Sequence, residues 1–89
     1  MRTKKGYVLR PLGVEYILVA EGLEAADANK IISMNETAAF LWESVEDKDF
    51  DTALLAQLLV GAYEVDQATA ENDVTTLLQT WKEAGIIVE

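Results

Sequence analysis

The chain has 89 residues, 51% hydrophobic and 26% charged, with sixteen acidic groups against seven basic ones and a net charge of −9. That length allows one domain with one modest core, and the composition is that of a folding chain rather than a disordered one. Absence of both cysteine and histidine excludes disulfides, thiolate and imidazole metal sites, cysteine nucleophiles and Ser-His-Asp relays, so neither a metal nor a cofactor is expected.

Residues 1–6 are basic, carry no hydrophobic period and read as a flexible start. Behind them stand Arg10, Pro11 and Glu15 where a signal peptide needs an apolar stretch. Apolar runs such as Ile17-Leu18-Val19-Ala20 fall far short of the ~20 residues that span a bilayer, and a cytoplasmic protein without membrane contact is expected. Four of the seven basic residues (Arg2, Lys4, Lys5, Arg10) lie in the first ten positions, which leaves residues 11–89 with three basic groups against sixteen acidic ones. Such a body has little to set against nucleic-acid phosphates, and no nucleic-acid partner is expected.

Tyr7-Val8-Leu9-Arg10 and Glu15-Tyr16-Ile17-Leu18-Val19-Ala20 are rich in β-branched and aromatic residues, with Pro11-Leu12-Gly13 supplying turn chemistry between them. They predict a hairpin. A small and acidic loop, 21–29, precedes Lys30-Ile31-Ile32-Ser33-Met34, which has the length and β-branched pair of a third strand. The period then changes. Either Asn35 caps a helix directly or Ser33 and Glu36 form a capping box, and Ala38, Leu41, Trp42 and Val45 recur on one helical face. After the polar break Glu46-Asp47-Lys48-Asp49, Asp51 or Thr52 caps a second helix with Leu55, Leu58, Leu59 and Ala62 inward, and Gly61 weakens its last turn. Asp66 caps a third helix with Ala70, Val74, Leu77, Leu78 and Trp81 inward, Gly85 sits where a left-handed cap is wanted, and Ile86-Ile87-Val88 returns as a short extended end. Strands followed by helices make an α+β domain, here winged-helix-like, with a three-stranded antiparallel sheet followed by a three-helix bundle.

Carboxylate pairs such as Asp49 with Asp51, Glu21 with Glu24 and Glu71 with Asp73 are better explained by solvation, capping and the helix dipole than by acid-base chemistry. No D-x-[DN]-x-[DN]-G loop is present to hold a hard cation. Trp42 and Trp81 sit at core spacing, each able to line a groove by one edge. The third strand is more informative. If residues 30–34 form a sheet edge, its unpaired N–H and C=O groups are a template for another extended chain, blunted only by Lys30. On the third helix, 100° per residue sets Asp73, Thr76, Thr80 and Ala84 along one flank of the apolar stripe, mostly small side chains beside Leu77 and Trp81 that leave room for a shallow groove.

The segment Met34-Asn35-Glu36-Thr37-Ala38-Ala39-Phe40-Leu41-Trp42 resembles the "LNetaaxiw" signature of the PqqD-like family, named for a pyrroloquinoline quinone biosynthesis protein. Tyr63-Glu64-Val65-Asp66, then Asp73-Val74 with Leu77 and Leu78, then Ala84-Gly85-Ile86-Ile87 resemble later motifs of the family, while the strand half matches in pattern and Met34 stands in place of the usual leucine. The resemblance implies one winged-helix-like recognition domain over residues 1–89. It also implies a non-catalytic peptide chaperone that takes up the leader segment of a ribosomally made precursor peptide as an added strand. Such a chaperone presents the core segment to a modifying enzyme such as a radical S-adenosylmethionine protein. Carried onto this chain, the implied peptide site is Lys30, Ile31, Ile32 and Ser33 for main-chain pairing, with Asp73, Leu77, Thr80 and Trp81 on the helix. Two other readings are an adaptor for a different protein partner and, disfavoured by a third helix whose one basic residue is Lys82, a winged-helix DNA-binding regulator. An open strand edge also admits either a monomer or a homodimer.

Overall fold

In a computed structural model the chain runs β1 (Arg2–Thr3), β2 (Tyr7–Leu12), β3 (Glu15–Ala20), β4 (Ile31–Met34), α1 (Glu36–Val45), α2 (Thr52–Ala62), α3 (Gln67–Ala84) and β5 (Ile87–Val88). The structure describes residues 1–21 and 31–89. β2, β3 and β4 form an antiparallel sheet in that order, and β1 pairs with β5 in a separate two-stranded ribbon. The architecture is α+β, a three-stranded antiparallel sheet followed by three helices.

The hairpin closes differently from expectation. β2 continues through Pro11 to Leu12, which pairs with Glu15, so the turn is Gly13-Val14 and not Pro11-Leu12-Gly13. Gly13, at φ 64°, supplies the positive dihedral that two-residue hairpin loops demand. Pro11 is tolerated because β2 is an edge strand, where a missing N–H need not break a ladder. Strand alternation sends Leu18 and Met34 into the core with Ile32 packed against it, and turns Val8, Arg10, Ile17, Val19, Ile31 and Ser33 to the other face.

Three short polar side chains start the three helices. Asn35 Oδ1 accepts from the Ala38 N–H at 2.8 Å, Asp51 Oδ1 from Leu54 at 2.8 Å and Asp66 Oδ1 from Thr69 at 2.7 Å, each satisfying a donor that a helix start leaves orphaned. Direct capping by Asn35 thus prevails over the Ser33–Glu36 box, and Asp51 over Thr52. Gly85 ends α3 at φ 75°. The inward stripes are buried except at three positions: Ala62 is exposed, and Leu58 and Leu77 are only half-buried.

Within residues 1–6, Arg2–Thr3 forms a strand. Arg2 pairs with Val88 and Thr3 with Ile87, the Met1 ammonium donates to the Phe50 carbonyl at 2.8 Å, and the Phe50 N–H returns to the Met1 carbonyl at 2.8 Å. Thr3 is buried, and its Oγ1 accepts from the Asp47 N–H. This first strand ties the α1–α2 connection and the C-terminal strand to one side of the core, with Phe50 buried beneath it.

Candidate functional site

Sheet order makes β4 an edge strand, and among the described residues no strand pairs with its outer side. Its four residues divide by face: Met34 is buried and Ile32 half-buried against the core, while Ser33 is exposed and Ile31 is 67% exposed. A β-branched apolar residue this open at a sheet edge lacks the charge or bulge by which such edges are normally blunted. Lys30, the residue expected to blunt this edge and to share in main-chain pairing, lies outside the described residues.

Asn35, the residue after β4, also lines a cavity of about 460 Å³ between α1 and α3. α1 contributes Thr37, Ala38 and Leu41, and α3 contributes Asp73, Val74, Thr76, Leu77 and Thr80. Leu59 of α2 and Tyr63 and Val65 of the α2–α3 connection complete the lining. The floor is apolar and buried, made of Ala38, Leu41, Leu59 and Val74, whereas Asp73, Thr76 and Thr80 are exposed at the rim. α3 can offer this groove because Thr76 and Thr80 are short, so the space beside Leu77 is left open at the helix flank. A strand edge whose next residue, Asn35, lines an apolar groove can accept an extended chain along the edge and one or two of its side chains in the groove.

Of the residues singled out from the sequence, Ile31, Ile32 and Ser33 lie on the open edge strand, and Asp73, Leu77 and Thr80 lie together on the groove. Trp81 does not. It is 1% exposed and packs edge-to-face on Trp42, with ring centroids 5.3 Å apart and planes at 87°. Trp81 thus stands behind the groove and not on its lining, and it holds α3 against α1. Leu41, Leu59, Tyr63 and Val65 were missed as lining residues. Helical period assigns Leu41 and Leu59 to the core, and nothing in a one-dimensional pattern reveals which core side chains also floor a cavity. Tyr63 is fixed by Phe40, whose ring it meets edge-to-face at 5.9 Å.

Neither helix after α1 suits a duplex phosphate backbone, since Lys82 is the one basic residue on them and it is paired with Glu89 at 2.7 Å. No helix among the described residues is long and apolar enough to cross a membrane.

Two solved structures share this fold. One is titled as TbiB1 in complex with the TbiA(beta) leader peptide, with a TM-score of 0.74 and 15% identity over 97% of this chain and 93% of that one. The other is titled as lasso peptide synthetase B1 complexed with the leader peptide, with a TM-score of 0.72 and 24% identity over 99% of this chain and 96% of that one. Among curated proteins there is no match. The sequence profile of coenzyme PQQ synthesis protein D matches residues 15–87, a span that takes in the hairpin's second strand, β4, all three helices and the start of β5, and the chain belongs to that family.

Proposed function

We propose that this protein binds the leader segment of a ribosomally synthesised precursor peptide along β4 and presents the attached core segment to a modifying enzyme, such as a radical S-adenosylmethionine protein. The observation that carries the reading is an open edge strand, with Ile31 exposed on it, followed at once by Asn35 on the lining of the groove between α1 and α3. Support comes also from two proteins of the same fold that were solved with leader peptides bound.

Magnitudes divide the work between the two parts of the site. Ordering an extended peptide costs about 1–2 kcal/mol per residue in backbone entropy, and each main-chain hydrogen bond returns a net of about 0.5–1.5 kcal/mol. Strand pairing therefore roughly breaks even and sets register. Affinity must come from apolar side chains buried in the groove, at about 1.5–3 kcal/mol each. The leader is thus held by a few anchors and aligned by its backbone, with main-chain contacts from the outward-facing groups of the Ile31, Ile32 and Ser33 stretch of β4 and side-chain contacts on Asp73, Leu77 and Thr80.

A backbone-amide NMR titration tests this, using the full chain and a synthetic leader from a small open reading frame beside the gene. Shifts concentrated at residues 31–35 and 73–80 are the expected result. A folded protein whose signals at those residues do not move, with each small neighbouring reading frame tried, would replace leader binding with docking of a different protein partner.

A further inference from the structure

Among the described residues, the groove carries a single charge. Among its lining residues Asp73 is the one ionisable group apart from the Tyr63 phenol, and the described lining holds no cation. The other two carboxylates on α3 are engaged within the helix, Glu71 accepting from Gln67 Nε2 and Glu83 from Gln79 Nε2, each at 3.1 Å. Asp73 has neither arrangement. Its neighbours three and four residues away are Ala70, Thr76, Thr69 and Leu77, so its own helix supplies no i,i+4 partner. It stands beyond the first turn of α3, where the favourable field of the helix N-terminus has faded. An exposed carboxylate at the lip of an apolar groove, unmatched by any described cation, serves neither helix nor core.

We infer that Asp73 selects a basic residue in the bound peptide, so that the chain prefers segments carrying a lysine or arginine next to the aliphatic or aromatic side chain that fills the groove. This rests on the leader-binding reading and specifies the leader's chemistry. Long-range charge acts in the same direction, because residues 11–89 hold three basic groups against sixteen acidic ones. Such a body attracts cationic chains and repels acidic ones at low salt. The specific contribution of Asp73 differs from that background by being local: it ties one basic residue to one position relative to the apolar anchor.

Selection of random dodecapeptides from a displayed library against the full chain, its Asp73→Asn variant and its Asp73→Lys variant separates the two. The wild-type pool is expected to hold an apolar anchor and a Lys or Arg at fixed spacing, the Asn pool the anchor alone, and the Lys pool an anchor with Asp or Glu. In a synthetic peptide from the wild-type pool, replacing the basic residue with Gln is expected to weaken binding about fivefold in low salt, as an exposed ion pair of about 1 kcal/mol allows. Against Asp73→Asn the same replacement should change affinity less than about twofold. A wild-type pool with no positioned basic residue, or an equal loss in both proteins, overturns the inference while leaving peptide binding intact. A pool that fails to enrich overturns both.

Discussion

Trp42 of α1 and Trp81 of α3 meet edge-to-face with ring centroids 5.3 Å apart, 0% and 1% exposed respectively, and this contact sets the distance between the two helices that wall the groove. Truncating either to Ala should cost about 3–5 kcal/mol, a large share of the ~5–15 kcal/mol that a small domain has. The milder Phe variants should differ. Trp42 Nε1 is buried with no hydrogen-bond acceptor among the described residues, and an orphaned donor costs about 1–3 kcal/mol. Trp42→Phe relieves that cost and Trp81→Phe does not, so urea unfolding should find Trp42→Phe the more stable of the two. The reverse order would mean that the indole N–H has an acceptor.

Along β4 the residues of an antiparallel strand turn their N–H groups alternately to the neighbouring strand and to the open edge. Ile32, opposite Leu18, and Ser33, opposite Ile17, are consecutive, so one of them serves the β3 ladder and the other faces outward. Proline at the outward position removes a donor that the fold does not use, whereas proline at the other breaks a ladder bond at roughly 1–3 kcal/mol. Of Ile32→Pro and Ser33→Pro, one variant should keep the wild-type unfolding midpoint and lose leader binding. If the variant with wild-type stability still binds the leader with unchanged affinity, edge pairing is wrong.

The parts of this fold legible in the sequence are those encoded locally. Asn35, Asp51 and Asp66 announce helix starts because a short polar side chain satisfies backbone donors two to three residues on, and the stripes through Leu41, Leu55 and Val74 follow from the 3.6-residue period. β1 was not legible. Two residues beside Lys4 and Lys5 have no period, and their partners, Val88 and Ile87, stand at the far end of the chain. The site divides the same way: the small flank of Asp73, Thr76 and Thr80 is a local pattern. The burial of Trp81 and the lining by Tyr63 depend instead on how α1, α2 and α3 meet.

Thr80 lies on the groove and Thr75 does not, although both are exposed on α3. Thr80→Trp should therefore fill the groove and reduce leader affinity at least tenfold, while Thr75→Trp leaves it unchanged. Both variants should unfold within about 0.5 kcal/mol of wild type, as surface substitutions do. Isothermal titration with the same leader checks this, and equal affinity for the two variants would move the anchor site off the groove.

Two carboxylates with opposite shifts predict how stability follows pH. Glu46, at the C-terminal cap of α1, is raised from its ordinary 4.5 by burial, with Asp47 and Glu43 adding to the effect. The helix dipole disfavours its charge there as well, since the last turn of α1 has no basic residue. Its folded pKa exceeds its unfolded one, so the stability linked to its proton is present below 4.5 and lost as pH rises through the folded value. Asp66 is lowered from 3.8, first by the backbone N–H of Thr69 and then by that residue's side chain. Its contribution is present above 3.8 and lost as pH falls through the folded value. Melting temperature should therefore climb as pH drops from 7 toward 4.5, aided by relief of self-repulsion in a chain of net charge −9, and fall again below 3.8. Glu46→Gln should raise the melting temperature at pH 7 and flatten the upper limb. Asp66→Asn, which keeps a capping acceptor but cannot titrate, should flatten the lower one. Melting curves of the three proteins from pH 3 to 7 check this, and a Glu46→Gln variant less stable than wild type at pH 7 would show that the Glu46 carboxylate has a favourable partner at the end of α1.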